Sequence, residues 1–133
     1  MSVRNLTIKT GCTIATTGGT DLVFADNGIT IPNGIQLVIP ADTDYRTRRT
    51  LTLKYRPATI DPRTGKYSKD KKSGVYTVPV VLSDGSIVFN TYRFEREMHP
   101  VMTVAECWAM NNIGAQLAID SDMDGFWLNG STM

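Results

Sequence analysis

The chain of 133 residues has the length of one domain, and its 41% hydrophobic and 20% charged residues are typical of a globular protein. No apolar run approaches the length needed to cross a bilayer, and the first residues become polar too soon for the apolar stretch of a signal peptide. The net charge of +1 is unevenly distributed: residues 46–72 hold ten basic and two acidic residues, a net +8, while residues 1–45 carry −2 and residues 73–133 carry −5. A basic segment between acidic flanks is typical of a surface that binds a polyanion.

The first 45 residues show the pattern of short strands and turns. Residues 6–9 alternate apolar and polar side chains, which predicts a half-exposed strand. Asn-Gly pairs at 27–28 and 33–34 predict turns on either side of a strand at 29–31. The apolar run 35–39 predicts the next strand, which ends before a proline.

The strongest alternation runs from Arg46 to Arg56 and predicts a strand over this range. Leu51, Leu53 and Tyr55 fall on one of its faces. Cationic and hydroxyl side chains fall on the other face: Arg48, Thr50, Thr52, Lys54 and Arg56. Such groups contact phosphates and base edges, and a sheet can display single-stranded or looped RNA. The alternative interpretation of this strand alone is a solvated face with scattered ion pairs.

The next segments predict a basic loop and a long hairpin. Residues 60–73 contain turn signals and several lysines, which favour nucleic-acid binding over a merely solvated face. Residues 75–82 are apolar enough for a central strand, although Pro79 requires a bulge or an edge there. An Asp-Gly pair at 84–85 predicts a hairpin turn, and the second arm, 87–98, ends before His99-Pro100.

After residue 100 the apolar period changes from two residues to that of a helix. Thr103 and Glu106 have the spacing of a capping box, which predicts a helix beginning there. An apolar stripe follows at helical spacing, and a short final segment is again apolar. These side chains could pack on the sheet of their own subunit or on a neighbour's sheet. We expect one domain, 1–133, with hairpin and sheet in residues 1–100 and a helical segment in residues 101–133.

No assembled catalytic or metal-binding motif is present. The acidic run from Asp120 to Gly125 copies half of a calcium loop, but its twelfth position is Ser131 rather than a glutamate, so we favour an acidic turn. The chain has a single histidine, and no nucleophile elbow or phosphate-binding glycine loop. Cys12 and Cys107 have no metal-like spacing and are interpreted as free thiols, with a bridge between subunits as the alternative. The sequence therefore predicts neither an enzyme nor a cofactor or metal site.

The order of these elements resembles the coat proteins of single-stranded RNA bacteriophages of the levivirus type. The resemblance rests on an N-terminal hairpin, the strand Arg48-Arg49-Thr50-Leu51-Thr52-Leu53-Lys54, the Val78-Pro79 strand end, the long strand through Tyr92-Arg93-Phe94-Glu95 and a C-terminal helix. It implies an α+β fold: an N-terminal β-hairpin, an antiparallel sheet of about five strands and one or two C-terminal helices. It also implies that these helices interlock in a homodimer, with two sheets joined edge to edge and each helix across the partner's sheet.

The resemblance further implies site residues. Arg48, Thr50, Thr52 and Lys54 match the family's RNA-facing row, which Arg56 extends, and Thr77 lies on the adjoining strand. On the late strand, one alignment turns Tyr92 toward RNA as a stacking ring. Hydrophobic parity instead turns Thr91 and Arg93 toward RNA, and we favour parity because a one-residue slip would expose the whole apolar set. The expected dimer interface comprises Val104, Trp108, Ile113, Leu117, Phe126 and Trp127.

These inferences predict a structural capsid protein located in the virion and made in the host cytoplasm. It would assemble with itself into an icosahedral shell, package single-stranded genomic RNA and have no membrane partner, with translational repression as an additional role. The alternative is a small dimeric RNA-binding regulator that forms no shell. A plain oligomeric β protein without a nucleic-acid role is a third hypothesis. The 84–85 turn is shorter than the family's usual loop at the symmetry axes of the shell.

Overall fold

The computed structural model describes residues 3–14 and 17–132, which form two compact units. One unit, residues 20–100, is an antiparallel sheet; the other combines residues 1–19 with residues 101–133 and holds the helices. The strands are β1 (Ala25–Ile31), β2 (Gly34–Val38), β3 (Thr50–Arg56), β4 (Asp70–Val81) and β5 (Ile87–Met98). The helices are α1 (Val104–Ile119) and α2 (Asp124–Asn129), and 3₁₀ turns occupy Val3–Asn5 and Ser121–Met123. That all 133 residues act as one domain stays a prediction.

The five strands follow one another in space as they do in sequence, in the order β1-β2-β3-β4-β5, and each pairs antiparallel with the next. This confirms the predicted α+β class, with a sheet of five strands followed by two C-terminal helices. The predicted turn at Asn33 joins β1 and β2, and Asn33 adopts a positive φ of 55°, which asparagine tolerates. At the tip of the β4–β5 hairpin, the Leu82 N–H donates to the Ser86 carbonyl (2.8 Å), and Gly85 takes the required positive φ.

Three local predictions in the sheet were wrong. The basic loop predicted over residues 60–73 is shorter, because β4 begins at Asp70 and its first residues pair with β3. The Asn-Gly pair at 27–28 is not a turn before a strand, because β1 continues through it and absorbs it as a register shift between Asp26 and Thr30. The strand predicted from Arg46 begins only at Thr50. The residues before it are held in turns by Asp42 and Asp44, whose carboxylates accept hydrogen bonds from the Arg49 and Arg46 backbone N–H groups.

Pro79 occupies an internal strand without breaking it. The Leu82 N–H donates to the Ser86 carbonyl, so the even-numbered residues of β4 form their backbone hydrogen bonds with β5. Odd-numbered residues alternate with them, and Pro79 therefore directs its backbone nitrogen toward β3. β3 has already ended there, because Thr50 pairs with Thr77. The missing N–H of Pro79 therefore removes no hydrogen bond from the ladder.

The sheet unit has a small core and one dominant apolar face. Val38, Ile39 and Met98 are buried, and Ile39 is almost completely inaccessible. On β5 the Phe94 ring lies directly over Gly74 of β4, where any added Cβ would collide with it. A glycine is therefore required at position 74 so that the aromatic ring can cover the strand.

In the second unit, the N-terminal segment is attached to α1 by hydrogen bonds to its backbone. The Gln116 side chain accepts from the Lys9 N–H (2.8 Å) and donates to the Lys9 carbonyl (2.6 Å), while Asn112 donates to the Cys12 carbonyl (2.6 Å). The strand predicted at residues 6–9 is not formed. Both backbone groups of Lys9 are bonded by Gln116 of α1, and the Thr7 N–H donates to Asp122, so side chains take the place of a strand partner.

The first helix begins at the residue that the sequence predicts. The Thr103 hydroxyl accepts from the Glu106 N–H (3.2 Å), so Thr103 is the N-cap of α1, which begins at Val104. The Glu106 carboxylate accepts from the Thr103 hydroxyl (3.0 Å) and not from the Thr103 backbone N–H of a complete capping box. The acidic run after α1 is a turn in which Asp120 caps the Ser121–Met123 segment. Within residues 3–14 and 17–132 no helix is long and apolar enough to span a membrane, and no His, Cys, Asp and Glu side chains cluster as metal ligands would.

Candidate nucleic-acid interface

The strand register brings seven of the eight predicted RNA-facing residues onto one side of β3, β4 and β5. Residues that face each other across antiparallel strands point to the same side of the sheet. Thr77 of β4 faces Thr50 of β3 on one side and Thr91 of β5 on the other. Two residues earlier on β4, Val75 faces Thr52 of β3 and Arg93 of β5. We call this side the polar sheet face; its predicted members are Thr50, Thr52, Lys54, Arg56, Thr77, Thr91 and Arg93.

Arg48, the eighth predicted residue, lies before β3 and outside the strand register. Its Nε donates to the Asp42 carbonyl (2.9 Å), and its guanidinium lies 4.5 Å from the centre of the Tyr45 ring. Its predicted place in a strand from Arg46 to Arg56 was therefore wrong. The other two arginines near the start of β3 also bind acidic residues of this loop: Arg49 forms an ion pair with Asp42, and Arg46 forms one with Asp44.

Asp42 organises the loop that leads into β3. Its carboxylate accepts from Nε (2.9 Å) and a terminal nitrogen (3.1 Å) of Arg49, as well as from the Arg49 backbone N–H (3.0 Å). These hydrogen bonds, first of all those from the guanidinium, lower the pKa of Asp42 from 3.8 to about 2. The bidentate pair stabilises the charged form of Asp42 and fixes the start of β3.

The structure adds a lysine that sequence reasoning did not include in the predicted site. Lys71 faces Arg56 across β3 and β4, and Ser73 faces Lys54. Every second residue of a strand points to the same side, so the alternation that includes Thr77 would have identified both Lys71 and Ser73 from the sequence. Lys72 points to the opposite side, where its Nζ lies 5.8 Å from the centre of the Tyr55 ring. The basic segment is thus divided between the two sides of the sheet.

Three cations of the polar sheet face gather at one end of it, around a shallow concavity. Its lining includes Lys54, Arg56, Lys71 and Ser73, with Asn33 from the β1–β2 turn, and its volume is about 320 Å³. We call it the basic concavity. Three cations at its rim give it the charge that attracts phosphate groups. Toward β5 the charge is reduced, because Glu95 forms an ion pair with Lys71.

An exposed aromatic ring, also absent from the predicted site, lies on the same side of the sheet. Phe89 faces Pro79, two residues from the Thr77–Thr91 pair, so it belongs to the polar sheet face, and it is 63% exposed. Phe89 lies four residues before Arg93 on β5, so the two-residue alternation of the strand would have placed it on the same side. Tyr92 faces Tyr76 on the other side of the sheet, as hydrophobic parity predicts. Among the strand residues that the structure describes, the aromatic ring on the polar sheet face is that of Phe89 and not that of Tyr92.

Several of the residues predicted for a dimer interface are apolar side chains that stay exposed to solvent in the single chain. Val104 is 72% exposed and Trp108 67% exposed, although both are large apolar residues of α1. In α2, Phe126 and Trp127 are also exposed and contact each other edge to face. Ile113 and Leu117 are half-buried. Exposed apolar side chains in such number are typical of a surface that another chain covers.

Solved structures decide the family. The chain of the virus-like particle of bacteriophage GQ-907 is 44% identical in sequence, with 98% of each chain covered and a TM-score of 0.88. This chain belongs to the coat proteins of levi-like bacteriophages. Its role is that of a structural capsid protein, and its location is the virion capsid.

More distant coat proteins share the fold. The virus-like particles of Beihai levi-like virus 21 and of bacteriophage AVE019 contain chains that are each 14% identical to this coat protein. The first covers 95% of this chain and 98% of its own (TM-score 0.68), and the second covers 83% and 84% (TM-score 0.58). No protein-family model and no curated protein sequence matches the chain.

Proposed function

We propose that this coat protein forms a homodimer, that its dimers assemble into an icosahedral shell, and that the shell packages single-stranded genomic RNA against the polar sheet face. Synthesis in the host cytoplasm belongs to the same proposal. The observation that carries RNA packaging is the alignment of Lys54, Arg56 and Lys71 around the basic concavity, beside a row of threonines. None of these functions needs a catalytic group, and we propose no enzymatic activity.

Assembly is supported by the related structure that is 44% identical, because that protein forms a virus-like particle. Dimerisation is supported by the exposed apolar residues of α1 and α2, chiefly Val104, Trp108 and Trp127, which a second subunit could cover. The apolar side of the sheet offers a matching surface, since Tyr55 and Tyr92 are both about half exposed there.

Packaging through phosphate contacts is better supported than translational repression through one hairpin. Phosphate contacts need cations and hydroxyl groups, which the polar sheet face supplies, but they carry little sequence information. Specific recognition needs base contacts or a stacking ring, and Tyr92 lies on the opposite side of the sheet. We therefore propose repression only if Phe89 supplies that ring.

The test is expression of the chain alone, followed by electron microscopy and the ratio of absorbance at the nucleic-acid and protein maxima. The wild type should form RNA-filled particles. The variant Lys54→Ala, Arg56→Ala, Lys71→Ala should contain markedly less RNA per protein, while Lys72→Ala, which removes a lysine from the other side of the sheet, should not. A wild-type protein that remains a monomer would exclude the shell. A soluble dimer that binds RNA would instead support a regulator.

A further inference from the structure

β5 is an edge strand whose outer side has no strand partner among the described residues. The hydrogen bond from the Leu82 N–H to the Ser86 carbonyl sets the alternation along the hairpin. Even-numbered residues of β5 therefore bond to β4, and odd-numbered residues direct their N–H and C=O groups to the free edge. Arg93 and Glu95 are among these odd-numbered residues. Such an edge is a template for pairing with another strand.

Self-pairing of this edge is restricted by symmetry. When two copies of β5 pair antiparallel about a two-fold axis, the residue numbers of every facing pair add up to the same value. Both residues of a pair must also lie on the same side of the joined sheet, so the sum must be even. The two-fold axis then passes through one residue of β5, and the choice of that residue defines the register.

We propose that the axis passes through Phe94, so that Arg93 lies opposite Glu95 of the partner subunit, twice by symmetry. This register specifies the dimer of the proposed function and rests on it. It also places Tyr92 opposite Arg96 of the partner subunit, an arrangement that allows a cation–π contact. Arg93 forms no ion pair within the part of the chain that the structure describes, so its charge is available to the partner. Glu95 already pairs with Lys71 of its own subunit, so in this register its carboxylate lies between Lys71 and the arginine of the partner subunit.

The neighbouring registers each bring like charges together. An axis through Arg93 places that arginine opposite its own copy, and an axis through Glu95 does the same for the glutamate. An axis through Tyr92 pairs no opposite charges and places Glu97 opposite Ile87, which would desolvate the carboxylate without a partner. Like charges directly opposite each other destabilise a sheet, whereas opposite charges stabilise it. Only the register centred on Phe94 pairs opposite charges with no like pair.

A cysteine scan tests the register directly. In a chain with Cys12→Ser and Cys107→Ser, the single variants Arg93→Cys, Phe94→Cys and Glu95→Cys are oxidised and run on non-reducing gels. Only Phe94→Cys should form a covalent dimer, because facing Cα atoms of a non-hydrogen-bonded pair are about 4.5 Å apart, a distance that a disulfide can span. The other two positions meet their own copies only diagonally, at about 7–8 Å.

A second variant covers the case in which Phe94→Cys does not fold. Arg93→Cys combined with Glu95→Cys should crosslink, while neither single variant does. Crosslinking of either single variant would overturn the register. So would the absence of every crosslink in a protein that still sediments as a dimer.

A charge exchange tests the same pair without cysteines. Arg93→Glu alone and Glu95→Arg alone should each weaken the dimer about tenfold or more, because two attractive pairs become repulsive. A mixture of the two variants should form a heterodimer that is about tenfold or more tighter than either homodimer, since one variant supplies two acids and the other two bases. The measurement is sedimentation of RNA-free, nuclease-treated protein, because Arg93 also lies on the polar sheet face.

The outcomes separate this inference from the proposed function. If the wild type itself shows no dimer, the proposed function fails. If the wild type dimerises but the mixture is no tighter than the single variants, the register fails and the dimer remains.

Discussion

Removing the cations of the basic concavity should reduce the salt dependence of RNA binding by a defined amount. The perturbation is the triple variant Lys54→Ala, Arg56→Ala, Lys71→Ala, whose three side chains line one concavity. For single strands, each phosphate contact contributes about −0.7 to the slope of log K against log salt concentration. Three lost contacts should therefore make the slope less negative by about 2, so that a tenfold rise in salt costs the wild type about 100-fold more affinity than the variant.

The assay is fluorescence anisotropy of a labelled single-stranded uridine oligonucleotide, with RNA-free dimers at several salt concentrations. Uridine contains no base-pairing structure of its own, so the slope reports phosphate contacts alone. Lys72→Ala is the matched control, since Lys72 neighbours Lys71 in sequence but points to the other side of the sheet, and its slope should equal that of the wild type. Parallel slopes for the wild type and the triple variant would refute the assignment of RNA to the polar sheet face.

Three further predictions follow from single residues. Phe89→Ala should weaken binding of the same oligonucleotide by about tenfold, because one stacked base is lost, and should leave the thermal melting temperature unchanged; an unchanged affinity would remove the ring from the site. Gly74→Ala should destabilise the fold by about 1–3 kcal/mol in urea titration, because the new Cβ meets the Phe94 ring, and a wild-type midpoint would contradict this packing. Asp42, whose pKa is lowered to about 2, should stabilise the protein fully above its unfolded pKa of 3.8 and progressively less as the pH falls toward 2. The melting temperatures of wild type and Asp42→Asn should therefore converge over that range, whereas a constant difference would show that the Arg49 pair contributes nothing.

The sequence predicts best where one face of a strand is apolar. The alternation around Leu51 and Leu53 fixes which side of β3 is polar, and the same parity on β5 places Arg93 rather than Tyr92 on that side. Both predictions follow from the cost of exposing an entire apolar set, which is large enough to override any single residue's preference. The helix start at Thr103 is also confirmed, because the N-cap hydrogen bond is local and depends on few other parts of the chain.

The sequence predicts poorly where distant polar groups decide the local conformation. The alternation of residues 6–9 is that of a strand, but Gln116, more than a hundred residues away, binds both backbone groups of Lys9. Likewise the alternation around Arg48 suggests a longer strand, but Asp42 and Asp44 draw the arginines beside it into turns. In each case one side chain supplies hydrogen bonds that a strand partner would otherwise provide, and single-sequence periodicity contains no trace of it.

In the proposed dimer, the alternation of β5 would connect RNA binding to dimerisation in a single strand. Odd-numbered residues such as Arg93 direct their side chains to the polar sheet face and their backbone groups to the free edge. If two copies join at that edge, the polar sheet faces of both subunits become one continuous surface, and each contributes a basic concavity to it. RNA held across the two-fold axis would then stabilise the dimer in proportion to its phosphate contacts, and the dimer would double the number of contacts available to one strand of RNA. The proposed dimer and the proposed RNA site would both use the Arg93 side chain. For this reason an Arg93→Lys variant, which keeps the charge but loses the bidentate geometry, should weaken the Glu95 pair more than it weakens RNA binding.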